Sequence, residues 1–252
     1  MKKIVQRLYS LYGSLVFILT FLALLPIFAY TIEVSGEKSR GRRMNRIWSK
    51  VFFGMLFFKV RMENLHHFKG NAPYVIVANH FSYLDIPVLG LIPFDLVFIG
   101  KSSLARVPLF GYMFKHLHIA VDRNSLKSRG VSVQKAKEAL EQGSSVVFFP
   151  EGGISSERPP AMSRFKDGAF KVALDKQIPI IPITLSYNHL ILPDDGRFLL
   201  RYKPVKVVVH PPLSVEGLGA KDVSVLKEKC YHIIQEQLWK DNAPVTNKIH
   251  RT

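Results

Sequence analysis

The chain begins with a long apolar segment. Residues 8–32 are 25 consecutive positions without a charged side chain, and tyrosines stand near both ends. As a helix that rises roughly 1.5 Å per residue, this segment is long enough to cross a hydrocarbon layer of about 30 Å. Pro26 leaves two alternatives open, a full crossing and a bent, re-entrant hairpin. The pattern predicts a membrane-associated N-terminal helix.

A basic stretch follows at residues 33–50, where six Lys or Arg residues stand against two acidic residues. Positive charge beside a membrane segment favours the cytoplasmic side, so the rest of the chain is expected to face the cytoplasm from a bacterial inner membrane or its equivalent. Residues 51–58 are uncharged and rich in Phe but too short to span, which indicates one face of an interfacial helix.

Residues 1–60 are therefore predicted to be membrane-anchoring helices with a basic linker. Two alternatives are weaker. A cleaved signal peptide would have a shorter apolar run and a small-residue cleavage site, which does not follow here. Helices that are apolar all round can also simply pack on the rest of the protein.

From about Asn64 the pattern changes to short β-branched runs that alternate with helical stretches. This rhythm is typical of an α/β fold with a mainly parallel, mixed sheet flanked by helices, and it predicts a second domain at residues 61–252. Strands are predicted at residues 74–78, 96–99, 118–121, 146–149, 180–185 and 205–210. Helices are predicted at residues 128–142, 165–176 and 221–240.

Composition and charge indicate the partners. The 252 residues are 48% hydrophobic, which is ample for a buried core. With 35 Lys and Arg against 19 Asp and Glu, the net charge of +16 favours anionic partners. Because the densest basic cluster adjoins an apolar helix, membrane lipids are the expected partner and nucleic acid is not. The single cysteine, Cys230, excludes an intramolecular disulfide and is expected in the core.

The segment at residues 79–85, with the sequence NHFSYLD, carries the strongest chemical signal. It directly follows an apolar strand, and ligands of α/β sheets bind where strands end. Across a strand-to-helix turn, Asp85 can accept the Nδ1 proton of His80 and leave Nε2 free to remove a proton from an alcohol. The spacing alone also fits an N-cap beside an ordinary histidine.

Three further segments place functional groups at predicted strand ends. Residues 149–156, with the sequence FPEGGISS, combine a carboxylate with two glycines whose backbone N–H groups can face an anion. Lys101 and Arg123 supply cations after two other strands. Residues 178–183 form an apolar strand whose prolines are expected at an edge or at a strand start.

Together and in this order, the four segments resemble the four motifs of the glycerolipid acyltransferase family, that of the 1-acyl-sn-glycerol-3-phosphate acyltransferases. The resemblance extends over about residues 64–210, and N-H-x4-D followed by F-P-E-G is its most specific part. It implies a glycerol-3-phosphate acyltransferase-like fold. It also implies transfer of a fatty acyl group from acyl-CoA or an acyl carrier protein to a lysophospholipid hydroxyl, most directly 1-acyl-sn-glycerol-3-phosphate, giving phosphatidic acid. No cofactor or metal is expected beyond the acyl donor as co-substrate.

The resemblance also implies residue roles. His80 is the general base and Asp85 its orienting partner. The substrate-binding residues are Asn79, Lys101, Arg123, Glu151, Gly152, Gly153 and Lys166.

One position departs from the family pattern F-P-E-G-T-R-S, because Gly153 and Ile154 stand where Thr and Arg are expected. The missing arginine would bind an acceptor phosphate with two hydrogen bonds, and Arg158 or Arg164 from the adjoining loop are the expected replacements. An acceptor without phosphate, such as a lyso-aminolipid, is the alternative.

Other functional classes lack their residue patterns. No G-x-S-x-G of a serine hydrolase occurs, and Asp95 stands where a phosphate-binding loop ending in Gly100-Lys101-Ser102 needs its first glycine. The histidines are too scattered to match a metal-ligand spacing. A non-catalytic lipid-binding protein on the same fold remains as an alternative, because fold alone does not establish activity.

Overall fold

A seven-stranded sheet organises the computed structural model, which describes residues 2–70, 73–154 and 159–244. In these residues the strands are β1 (Val60–Glu63), β2 (Val75–Ala78), β3 (Leu96–Lys101), β4 (Ile119–Val121), β5 (Ser145–Phe148), β6 (Ile180–Leu185) and β7 (Val205–Val209). The helices are α1 (Lys2–Ala29, continued by a π-helical turn at Tyr30–Val34), α2 (Lys38–Met55), α3 (Asp85–Leu89), α4 (Phe110–Leu117), α5 (Leu126–Glu141), α6 (Gly168–Lys176), α7 (Asn188–Ile191) and α8 (Val223–Asn242).

The strand order is β1-β7-β6-β2-β5-β3-β4. Strands β6, β2, β5, β3 and β4 are parallel to one another, whereas β7 pairs antiparallel with β6 and β1 pairs parallel with β7. Five strands therefore finish at one end of the sheet, here called its carboxyl end. The expected mixed, mainly parallel sheet is confirmed.

Both faces of the sheet are covered, which explains why its central strands are continuous apolar runs. Ile76 and Ala78 of β2 pack in a core with α1, α2 and α3. Val75 and Val77 point the other way and pack with α5, α6 and α8. Cys230 of α8 is fully buried in this second core, as expected.

Three sequence-based expectations need correction. Strand β1 was not predicted, because its charged residues alternate with apolar ones where it forms the edge of the sheet beside β7. The helix expected from residue 165 starts at Gly168, because Lys166 N donates to Pro150 O at 2.8 Å and holds the preceding chain as a loop. Strand β6 is an interior strand. It tolerates Pro182, which has no N–H to donate, because this residue lies opposite His210, just beyond the end of β7.

The N-terminal helices α1 and α2 pack against each other and join the first core through residues such as Trp48. Residues 51–58, expected to form one face of an interfacial helix, divide between the last turn of α2 and the loop that follows it. Helix α2 ends at Met55, and Phe52, Phe53 and Phe58 are buried against the sheet because they face it. By length and composition, Lys3–Val34 is the one stretch of the described chain that can cross a membrane, and 28% of its most apolar window is buried.

Candidate active site

The turn at residues 79–85, the histidine turn, connects β2 to α3. Nδ1 of His80 lies 2.9 Å from Oδ2 of Asp85, so the contact expected from the spacing is present. The chain reaches back because Asp85 N donates to Ser82 O at 3.1 Å and closes a tight turn at the start of the helix. The structure therefore aligns an imidazole with a carboxylate at the carboxyl end of the sheet.

Asp85 is fully buried and both of its oxygens are satisfied. Besides His80, Oδ2 accepts the backbone N–H groups of Phe81 at 2.8 Å and Ser82 at 2.9 Å. Oδ1 accepts the side-chain amide of Asn188 at 2.7 Å. A buried carboxylate needs such donors, and this set holds it in one orientation.

The other nitrogen of His80, Nε2, is not bonded to Asp85. Because a carboxylate only accepts hydrogen bonds, the proton of the neutral imidazole lies on Nδ1 and Nε2 holds the lone pair. Within the described parts of the chain Nε2 has no hydrogen-bond partner. The ring stacks on Phe149, with centroids 4.0 Å apart and planes at 19°, and 11% of the side chain is exposed.

Glu151, for which substrate binding is expected, contacts the backbone of the histidine turn. It is buried, and its oxygens accept His80 N at 2.8 Å and Ser163 N at 2.9 Å. Burial raises the pKa of Glu151 to about 7, although these two N–H donors act in the opposite direction. Glu151 therefore holds the backbone of the histidine turn.

Asn79 is also expected to bind substrate. Its amide nitrogen donates to Leu185 O at 3.1 Å, its amide oxygen accepts Leu185 N at 2.8 Å, and the side chain is fully buried. Strands β2 and β6 are neighbours, so Asn79 continues their pairing beyond the last strand residue. Both polar atoms of its side chain are bonded to the protein backbone.

Two cations converge on residues 149–154, here called the glycine turn. Gly152 has φ +85°, which suits glycine, and a Cβ there would collide with Nζ of Lys166. A Cβ on Gly153 would lie 2.8 Å from Nη1 of Arg123. The two glycines thus make room for two cations, neither of which has a salt-bridge partner among the described residues.

These cations line an open pocket of about 700 Å³, here called the basic pocket, between α5 and α6. Phe149 also lines the basic pocket and stacks on His80, so the pocket lies beside the His80 ring. Arg129 and Lys171 add two cations that the sequence did not single out.

The remaining expected phosphate ligands are not part of this pocket. Lys101 ends β3 and Arg164 precedes α6; both are exposed, and neither lines the basic pocket. Arg158 lies outside the described residues.

An apolar cavity of about 330 Å³ lies on the opposite face of the sheet, enclosed by α1, α2, α3, α4 and β3. Tyr83, Ile86 and Pro87, which flank Asp85, form part of its wall. Phe21, Trp48 and Met113 contribute elsewhere. The histidine turn therefore stands between a basic pocket and an apolar cavity.

Asn188 is a residue in contact with the His80–Asp85 pair that sequence reasoning missed. It begins α7, three residues after the end of β6 and at the same end of the sheet as His80. A polar residue three positions after a fully buried strand was the available signal. Its partner, Asp85, lies 103 positions away in sequence, so only the strand order reveals the contact.

Known proteins are similar to this chain in sequence and in fold. The acyltransferase family model matches residues 59–186. The 1-acyl-sn-glycerol-3-phosphate acyltransferase alpha of Mus musculus is 31% identical over 217 residues, which are 84% of this chain and 74% of the relative. The chloroplastic 1-acyl-sn-glycerol-3-phosphate acyltransferase LPAT1 of Arabidopsis thaliana is 29% identical over 199 residues, which are 77% of this chain and 55% of the relative.

This chain spans about half the length of such chloroplastic and algal relatives. The crystal structure of the 1-acyl-sn-glycerophosphate acyltransferase PlsC from Thermotoga maritima superposes with a TM-score of 0.80. It covers 96% of this chain and 98% of its own at 20% identity, which establishes a shared fold.

Proposed function

Because this chain belongs to the acyltransferase family, we propose that it transfers a fatty acyl group from a thioester to the free hydroxyl of a lysophospholipid. The acceptor that the site favours is 1-acyl-sn-glycerol-3-phosphate, with phosphatidic acid as the product. The observation that carries the proposal is the His80–Asp85 pair, whose imidazole ring stacks on Phe149, a residue that lines the basic pocket.

In the proposed reaction, Nε2 of His80 removes the proton from the acceptor hydroxyl as its oxygen attacks the thioester carbonyl carbon. The tetrahedral intermediate then collapses, the C–S bond breaks, and the thiolate leaves with the proton that His80 had taken. Asp85 stabilises the imidazolium formed in between. Asn188 and the two backbone N–H groups keep the carboxylate aimed at Nδ1 throughout.

The acceptor phosphate is proposed to bind between Arg123 and Lys166. A guanidinium holds a phosphate with two hydrogen bonds of fixed geometry. The family motif carries its arginine where this chain has Ile154, and here the guanidinium of Arg123 lies against Gly153 instead. The substitution of Thr by Gly at this position is thus matched by a cation from the loop after β4.

The acyl chain is proposed to lie in the apolar cavity, whose lining is almost entirely hydrocarbon. The long apolar helix α1 is proposed to hold the enzyme at the membrane, where its lipid substrate resides. Acyl-CoA or acyl carrier protein would supply the thioester, since both carriers are anionic and the protein is strongly basic.

The test incubates detergent-solubilised protein with radiolabelled acyl-CoA or acyl carrier protein and separate lysolipid acceptors. Lysophosphatidic acid should be acylated, His80→Ala should abolish the reaction, and His232→Ala, an exposed histidine on α8, should not change it. Acylation of a lyso-aminolipid in place of lysophosphatidic acid would reassign the acceptor. Failure with every acceptor and both donors would contradict the proposed reaction and leave a non-catalytic lipid-binding protein.

A further inference from the structure

A second cluster of cations lies at the amino end of the sheet, opposite to His80. Helix α2 presents Arg43, Arg46 and Lys50, which are three and four positions apart and so share one face. They line a cleft of about 660 Å³, here called the basic cleft. Its other wall is formed by residues 93–95 before β3 and 142–143 before β5, which places it at the end where these strands begin.

The charges of this cleft are not neutralised within the described chain. Arg43, Arg46 and Lys50 have no salt-bridge partner among the described residues. The acidic residue in the wall, Asp95, is already held by Arg42 through contacts of 2.6 and 2.7 Å and by the hydroxyl of Ser144 at 2.9 Å. The negative charge of Asp95 is therefore already paired with Arg42.

Arg46 has a feature that a solvated surface cation lacks. Its Nε atom is buried and has no hydrogen-bond partner. A buried donor without an acceptor is costly, and an oxygen of a ligand that enters the cleft would satisfy it. A guanidinium that offers Nε and a terminal nitrogen is suited to a phosphate group.

An apolar groove of about 470 Å³ continues the basic cleft. Arg46, Lys50 and Pro93 belong to both, and the groove is otherwise lined mainly by residues such as Phe53 and Leu91. Ile47, which also lines the basic cleft, leaves 48% of its surface exposed. Cations that border an apolar groove match an anion that carries a hydrocarbon chain.

We propose that the basic cleft and its apolar groove bind one anionic phospholipid molecule, with the lipid phosphate on Arg46 and its neighbours. This site is separate from the active site, since the two lie at opposite ends of the sheet. It does not depend on the proposed acyl transfer. The lipid would fix the orientation of α2 at the membrane surface.

The test measures the binding of the full chain to vesicles of phosphatidylcholine with and without phosphatidylglycerol. The triple variant Arg43→Gln/Arg46→Gln/Lys50→Gln should lose affinity for the anionic vesicles by about fivefold per cation. The matched control, Lys221→Gln/Lys229→Gln/Lys240→Gln, removes the same charge from exposed positions on α8 and just before it, and should lose much less.

Arg46→Lys distinguishes a specific lipid-binding site from non-specific electrostatic attraction to the vesicle, because it keeps the positive charge but removes Nε. It should weaken binding to anionic vesicles severalfold, leave binding to neutral vesicles unchanged, and retain acyl transfer to a dispersed acceptor. Wild-type binding by Arg46→Lys, or equal losses in the two triple variants, would overturn the proposal. Full competition by millimolar inorganic phosphate would overturn the lipid as the occupant.

Discussion

The histidine turn and the glycine turn lie side by side at the carboxyl end of the sheet but are built in opposite ways. In the histidine turn, Asp85 and Asn79 use their polar atoms on other protein groups, and both are fully buried. In the glycine turn, Arg123 and Lys166 lie against glycine backbone and have no acidic partner among the described residues.

This difference separates two tasks. A reacting group must be held within a fraction of an ångström, which requires that its neighbours be satisfied in a single arrangement. A recognition group must remain available, so its partner has to come from the ligand. Substitutions in the histidine turn should therefore lower kcat, and those around the glycine turn should raise KM.

The largest expected effect comes from Asp85→Asn. The uncharged amide oxygen can still accept the Nδ1 proton but stabilises the imidazolium far less than the carboxylate does, so kcat should fall roughly 1,000- to 10,000-fold with little change in KM. Initial rates with lysophosphatidic acid measure this effect. Asp175→Asn, which removes only a surface ion pair with Lys137, is the control. A kcat within tenfold of wild type would show that Asp85 does not orient the base.

Glu151 provides a test by pH. Its folded-state pKa is about 7 and the ordinary value is 4.5, so the folded protein binds more protons than the unfolded chain between these values. Stability should therefore decrease as the pH rises from about 4.5 to 7, by about 3 kcal/mol in total. The free energy of unfolding of Glu151→Gln should lack this component. Parallel pH profiles for the two proteins would contradict the assignment.

Asn188→Ala leaves Oδ1 of Asp85 buried without its donor. The free energy of unfolding should fall by about 2 kcal/mol. If Asn188 positions the carboxylate, kcat should also fall roughly 10- to 100-fold while KM stays within about twofold. Asn188→Asp, which has the same shape but sets a second carboxyl group against Asp85, should lose more. Loss of stability with an unchanged kcat would reduce Asn188 to a structural role.

The smallest effect is expected from Arg123→Gln. KM for lysophosphatidic acid should rise roughly tenfold, because one hydrogen bond to a charged group is lost, while kcat changes little. Arg61→Gln, an exposed arginine on β1, is the control for a change of net charge. An unchanged KM would favour an acceptor without phosphate. Gly153→Ala should act in the same direction, since its Cβ would displace the guanidinium.

Much of the fold was predictable because its signals are local. The buried strands β2, β5 and β6 are continuous apolar runs, and the stripe of α8 repeats every three or four residues. The His80–Asp85 contact was predictable for the same reason, since only a tight turn separates the two residues. The roles of Asn79 and Glu151 were not, because their partners lie 106 and 71 positions away.

The sequence by itself determined the alternation of strands and helices, the apolar N-terminal segment and the residue types available for catalysis. The tertiary structure decided which polar side chains form hydrogen bonds within the protein and which remain available to a ligand. Residue type fixes what a side chain can donate or accept, whereas its partner depends on which strand ends the topology brings together. That is why the sequence could not show that Glu151, in a motif typical of substrate binding, holds the backbone of His80.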